Sequence, residues 1–223
     1  MKAKEIVLLI LIIAGGIFFY YAETGKLDLS FEIDDHFFSY LHQFKYEDSQ
    51  VLEPPFPARL KIVNAHGDIE IQGTSEERIS ISFQKRIWRK NEKQAKEVSD
   101  ALKMTVERDP QQVLISTNRE EFRRRNFETN FKISLPESME VEVENSYGQA
   151  KLLRVGKASI INSYGKVIAS EINGELTAKN SYEDVEIENV QGDCELESKH
   201  SDVLISDVRG KTEVSHAYGK IDL

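Results

Sequence analysis

From Leu60 onward the apolar positions recur at every second residue. Leu60, Ile62, Ile69 and Ile71 alternate with polar neighbours around the turn Asn64-Ala65-His66-Gly67, and Ile79, Ile81 and Phe83 repeat the pattern. This is the period of half-buried strands. Ala95, Val98 and Leu102 break it with helical spacing and predict a short amphipathic helix over residues 91–102. Strands resume at Met104–Val106, Val113–Ile115, Phe131–Leu135 and Val141–Val143, separated by Asp109-Pro110 and by a loop around Arg123, Arg124 and Arg125.

A longer period then takes over. Gly156, Gly174, Gly192 and Gly210 are spaced by 18 residues. Two positions after each glycine stand Ala158, Leu176, Cys194 and Thr212; four after, Ile160, Ala178, Leu196 and Val214. Further columns hold Val167, Val185, Val203 and Ile221, then Ala169, Ile187, Ile205 and Leu223, then Ile172, Val190 and Val208. Two short strands per repeat would place all five columns on one inward side. Five such side chains cannot offset the entropy of ordering a whole repeat alone, so the repeats must stack.

The register reaches further back. Shifted by 17, Val141, Val143, Asn145, Tyr147, Ala150 and Leu152 match Ala158, Ile160, Asn162, Tyr164, Val167 and Ala169, and the stretch from Leu60 to Ile71 has the same spacing. The expected fold is all-β: a parallel β-solenoid of 18-residue coils with one inserted short helix, preceded by an N-terminal transmembrane helix. Residues 59–144 would form irregular early coils, enlarged by the helix and the arginine loop, and residues 145–223 the regular part.

The first residues differ from the rest. Lys2 and Lys4 precede the uncharged run Ile6 to Ala22, whose 17 residues span about 25 Å as a helix, at the lower limit for a bilayer. A transmembrane anchor over 5–22 is expected, with residues 1–4 a cytoplasmic tip and the main domain extracytoplasmic at the cell membrane. A cleaved signal peptide competes, although Tyr20 fits its cleavage pattern poorly, and a buried core helix is the third alternative. Residues 23–58 read as a stalk or linker ending in Pro54, Pro55 and Pro57, in which Asp34 or Asp35 would cap a short helix over His36 to Lys45.

Composition narrows the function. A formal net charge of -9 argues against nucleic acid as a partner. A single cysteine rules out an internal disulfide and multi-cysteine zinc sites, and the five histidines lack metal-ligand spacing. No cofactor, metal or catalytic set is expected.

Three features carry candidate chemistry. Asn-Ser-Tyr-Gly at 145–148 and 162–165 generates a column Tyr147, Tyr164, Tyr182, His200, Tyr218 beside a column Asn145, Asn162, Asn180, Ser198, His216. It reads either as a turn ladder held by stacking or as an exposed aromatic ridge for sugar rings or a partner. Arg119, Arg123, Arg124 and Arg125 are a basic cluster able to grip an anionic wall polymer or lipid headgroups, or simply a solvated loop. Asp184 and Asp202 share a column, flanked by Lys166 and Lys220; as a carboxylate pair they lack the further ligands of a calcium site. Cys194 sits in a core column.

The run from Leu60 through Asn64, His66, Gly67, Ile69 and Ile71, the strand ending Leu135-Pro136, and the Asn-Ser-Tyr-Gly units resemble the bacterial putative-adhesin domain family, a domain of unknown function. The anchored layout resembles LiaG-type envelope proteins of Gram-positive bacteria. The resemblance covers residues 59–223 and implies a non-enzymatic adhesin-like binding or scaffold protein of the cell envelope, with wall polymer, glycan or a surface protein as partner. The chain departs from such domains in ending mid-coil at Leu223. Open strand edges there would allow end-to-end self-association into a scaffold, and a polysaccharide-processing enzyme using Asp184 and Asp202 is the remaining alternative.

Overall fold

The computed structural model describes residues 41–223, which form one compact unit. The expected cytoplasmic tip, the membrane anchor and the first part of the stalk lie outside the described residues. Among those described, no helix is long and apolar enough to cross a membrane.

The unit is mostly β, with largely parallel pairing in two sheets. The chain runs β1 (His42–Leu52), β2 (Arg59–His66), β3 (Ile69–Thr74), β4 (Ile79–Arg89), α1 (Glu92–Ala101), β5 (Met104–Arg108), β6 (Val113–Thr117), β7 (Phe127–Pro136), β8 (Glu140–Tyr147) and β9 (Ala150–Leu153). It continues with β10 (Ala158–Tyr164), β11 (Val167–Ile172), β12 (Leu176–Tyr182), β13 (Val185–Val190), β14 (Cys194–Lys199), β15 (Val203–Val208), β16 (Thr212–Ala217) and β17 (Ile221–Asp222). One sheet has the order β1-β4-β7-β3-β9-β11-β13-β15-β17 and the other β16-β14-β12-β10-β8-β2-β6-β5. From β8 onward, successive strands alternate between the sheets, so each repeat is a two-strand coil, an arrangement compatible with a solenoid.

The periodic columns are the pairing register. Ala158 pairs with Leu176, Leu176 with Cys194 and Cys194 with Thr212, all in parallel. Val167, Val185, Val203 and Ile221 form the matching column of the other sheet. Leu152, Ile160, Ala169, Ile172, Val185 and Leu196 are buried, whereas the last members of the columns, Ile221 and Leu223, are exposed. The repeated glycine has a packing cause: a Cβ on Gly192 would lie 2.7 Å from the carbonyl carbon of Gly174 in the preceding coil.

The early part stacks in a different order from the chain. β2, whose spacing matches that of the regular coils, pairs directly with β8 from Arg59↔Glu140 to His66↔Tyr147. Yet β6 and β7, later in sequence, lie on the far side of β2 and β3, pairing with them in parallel. Beyond them β4 and β5 run antiparallel, so these are not simply enlarged coils: they close one end of the stack. α1 belongs to this end, with Asn91 Oδ1 accepting the Gln94 N–H at 3.0 Å and Ala95 and Ser99 buried.

The expected stalk and the helix reaching Lys45 are corrected over their described residues. His42–Leu52 is an edge strand, antiparallel to β4 from His42↔Arg89 to Leu52↔Ile79. Phe44 and Tyr46 pack against the core and Leu52 is buried, so period two prevails there over a helical face.

Candidate functional site

The Asn-Ser-Tyr-Gly turns lie one above another along one edge of the coils. Gly165 adopts φ +147°, and a Cβ there would fall 2.1 Å from the Gly148 carbonyl oxygen. Glycine is therefore required both for the turn and for the approach of adjacent coils. With the turns in register, the aromatic side chains meet face to face. Tyr147 and Tyr164 stack at 4.7 Å between centroids with planes 7° apart, and Tyr164 and Tyr182 at 4.8 Å and 4°. His200 continues the pile at 5.3 Å from Tyr182 and 4.9 Å from Tyr218. His66 closes the other end edge-on against Tyr147 at 5.4 Å.

This geometry combines the two sequence readings. The rings form a stacking ladder, and the ladder is exposed: Tyr147, Tyr164 and Tyr182 are 42–48% accessible and Tyr218 is 76% accessible. The faces of the inner rings are occupied by neighbouring rings. What a ligand meets is a row of ring edges, which carry the positive end of the aromatic quadrupole, and of phenol groups able to donate and accept.

Beneath the ridge runs a buried polar row. Asn64, Asn145, Asn162, Asn180 and Ser198 are all at most 4% exposed. Their amides do not bond to one another in a ladder; they hold the turns. Asn162 Nδ2 donates to the Gly165 carbonyl at 2.7 Å and to that of Gly148, in the preceding coil, at 3.2 Å. Asn180 Nδ2 donates to the carbonyls of Tyr182 and Glu183. In the later coils hydroxyls replace amides: Ser198 Oγ lies 2.5 Å from Ser201 Oγ and 3.1 Å from His216 Nδ1.

The arginine cluster divides. Arg119 is buried, donating to the Phe127 carbonyl at 3.0 Å with its guanidinium 4.5 Å from the Phe127 ring centre. It pins the loop and offers nothing to a ligand, a placement that sequence spacing does not reveal. Arg125 donates to Glu120 at 2.5 Å and to the Phe122 carbonyl. Arg123 and Arg124 remain exposed. The carboxylates of Asp184 and Asp202 are likewise engaged, accepting the backbone N–H of Asp202 at 3.3 Å and of Lys220 at 2.9 Å. Each joins one coil to the next. Cys194 is 1% exposed, and burial pushes its thiol up to about 11, which keeps it protonated and unreactive at neutral pH.

Two features escaped the sequence pattern. Lys85 occupies an inward position of β4 and is 2% exposed, paired with Asp48 Oδ2 of β1 at 2.6 Å and donating to the Ser99 carbonyl at 2.8 Å. Trp88 and Arg89, at the end of the same strand, lie against the arginine loop through the Trp88 N–H, which donates to the Asn126 carbonyl at 3.1 Å.

No family model matches the chain, and no curated protein matches it. Among solved structures, it is similar to a putative cell adhesion protein from Clostridium sporogenes at 13% identity and a TM-score of 0.40, covering 80% of this chain and 100% of that one. A putative adhesin from Bacteroides fragilis is similar at 8% identity and a TM-score of 0.36, over 79% of this chain and 96% of that one. Another, from Parabacteroides merdae, gives 5% identity and a TM-score of 0.23 over 79% and 96%.

Proposed function

We propose that this chain is a non-enzymatic binding protein of the bacterial cell envelope, held at the membrane by its N-terminal segment. Its β-solenoid presents the aromatic ridge to an extended, hydroxyl-rich polymer such as a wall glycan. The observation that carries this reading is the continuous exposed row Tyr147, Tyr164, Tyr182, His200 and Tyr218. Its groups recur at the spacing of the coils, a regular array suited to a repeating ligand rather than to a small molecule in a pocket. Phenol hydroxyls supply hydrogen bonds along the row, and the stacked rings fix them in place without loss of side-chain freedom on binding.

The residues first in line for chemistry support binding over catalysis. The Asp184 and Asp202 carboxylates are engaged with backbone N–H groups, and Cys194 is a buried thiol. The test is co-sedimentation of the detergent-solubilised full chain with insoluble bacterial cell walls. Saturable retention that persists at high salt is expected, because hydrogen bonds and ring contacts are screened less than surface charge. An absence of retention at every ionic strength would count against the reading.

A further inference from the structure

We propose that the end of the domain where β1 begins is a binding face for anionic lipid headgroups, built from Trp88, Arg89, Lys90, Arg123 and Arg124. The proposal rests on the membrane-anchored reading above for its source of lipid, and on the following geometry for its residues.

β1 starts at His42, which pairs with Arg89, the last residue of β4. The chain therefore enters this domain beside the end of β4. Arg89 Nη1 donates to the carbonyls of Trp88 at 2.7 Å and Asn126 at 3.1 Å, which ties the strand end to the loop that carries Arg123 and Arg124. Lys90, Arg123 and Arg124 are exposed, Trp88 partly so.

The acids of the loop and of β7 nearest the cluster already have hydrogen-bonding partners. Glu120 pairs with Arg125, Glu128 with Arg86 at 3.4 Å, and Glu121 accepts from Asn118 Nδ2 at 2.9 Å. Among the described residues, Arg89, Lys90, Arg123 and Arg124 make no ion pair, in a chain whose net charge is -9. Burial and then the like charge of Arg124 lower the Arg89 guanidinium from its ordinary value. Cations held together without a counter-charge are what an anionic surface would complement.

Two features favour a lipid surface over a dissolved wall polymer. Trp88, the one tryptophan of the chain, has an indole that prefers the headgroup level, where an apolar body and a polar N–H are both accommodated. The cluster also lies where the chain arrives from the apolar run Ile6 to Ala22, and a tether to the bilayer raises the local concentration of headgroups. Bound in this way, the domain would be oriented, with the regular coils and their aromatic ridge extending away from the bilayer.

Because Trp88 is the sole tryptophan, its fluorescence reports on this face alone. The full chain would be reconstituted into vesicles of phosphatidylcholine, and into vesicles of phosphatidylcholine with phosphatidylglycerol, each containing lipid brominated near the headgroup. Trp88 emission should be quenched and blue-shifted in the anionic vesicles only, and high salt should reverse the change. Arg123→Glu with Arg124→Glu should weaken the response roughly tenfold or more in the anionic lipid required, since both lie on the exposed loop. Equal emission in the two vesicle types would overturn the proposal. So would quenching or a spectral shift obtained only on adding soluble polyglycerol phosphate, which would assign the face to a wall polymer. Flotation with phosphatidylcholine vesicles tests the anchor separately. A chain that fails to float there refutes the anchor, and its partition onto added anionic vesicles then decides the face.

Discussion

Replacing Asn162 by alanine isolates the polar row that holds the turns beneath the ridge. Asn162 is 2% exposed, and its amide donates to the carbonyls of Gly165 and Gly148 at 2.7 and 3.2 Å. Gly148 would keep the amide of Asn145 as a donor at 3.2 Å, whereas Gly165 would lose its side-chain donor. A partly buried carbonyl left without its donor costs toward the low end of about 1–3 kcal/mol, and a lost bond to a carbonyl that retains another partner about 0.5–1.5. Asn162 Oδ1 itself makes no hydrogen bond, so its removal returns part of that cost. The expected destabilisation is about 2 kcal/mol, read as a lower urea midpoint with an unchanged slope in full-chain unfolding followed by circular dichroism. Asn162→Asp should be worse at neutral pH, because a carboxylate would face two carbonyl oxygens without a donor. A shift below about 0.5 kcal/mol for Asn162→Ala would refute the assignment of the amide as the clamp of the turn.

Other variants probe other parts of the stack. Gly192→Ala should destabilise by about 3 kcal/mol or more in the same assay, since its Cβ would press on backbone of the preceding coil at 2.7 Å rather than on a movable side chain. The Cys194 thiol, raised from 9.0 to about 11, ionises first in the unfolded chain, so its contribution is intact below about pH 9 and lost between pH 9 and 11. Two pH units correspond to about 3 kcal/mol, and Cys194→Ala should flatten this part of the stability–pH curve. Lys85→Met should be nearly neutral or stabilising, whereas Asp48→Ala should cost about 1–2 kcal/mol by leaving the Lys85 ammonium with only the Ser99 carbonyl and the Phe83 ring, since Asp48 itself is largely exposed; comparing the two urea midpoints checks this.

The regular coils were legible because stacking repeats one chemical environment at each step. Ala158, Leu176, Cys194 and Thr212 occupy equivalent places in successive coils, so a count of 18 recovers their pairing without knowledge of the fold. The same spacing recurs from Leu60 to Ile71, although only the fold shows that Leu60 pairs directly with Val141. The count failed where the chain leaves the repeat. Nothing in the spacing of β6 and β7 says that they lie outside β2 and β3, since stacking order is settled by long-range pairing. β1 was obscured because its aromatics suit a helical face as well as a strand, and Pro54 and Pro55 suggested a linker. At the ridge, the sequence gives the column but not the exposure: a stacked tyrosine row is equally consistent with a buried spine. The placement of Arg119 is hidden in the sequence for a related reason. Its neighbours in sequence are exposed arginines, and only the fold places its guanidinium over Phe127.

The central claim is that the exposed phenols of the ridge bind a polymer, and Tyr147→Phe, Tyr164→Phe and Tyr182→Phe combined in one chain test it most directly. Phenylalanine keeps the stacking and so keeps the fold, while removing three hydroxyls from the row. Three lost hydrogen bonds at about 0.5–1.5 kcal/mol each predict that affinity for insoluble cell walls falls more than tenfold, with the urea midpoint unchanged. Wall binding equal to that of the native chain would contradict the account and leave the tyrosines as a ladder that serves only the fold.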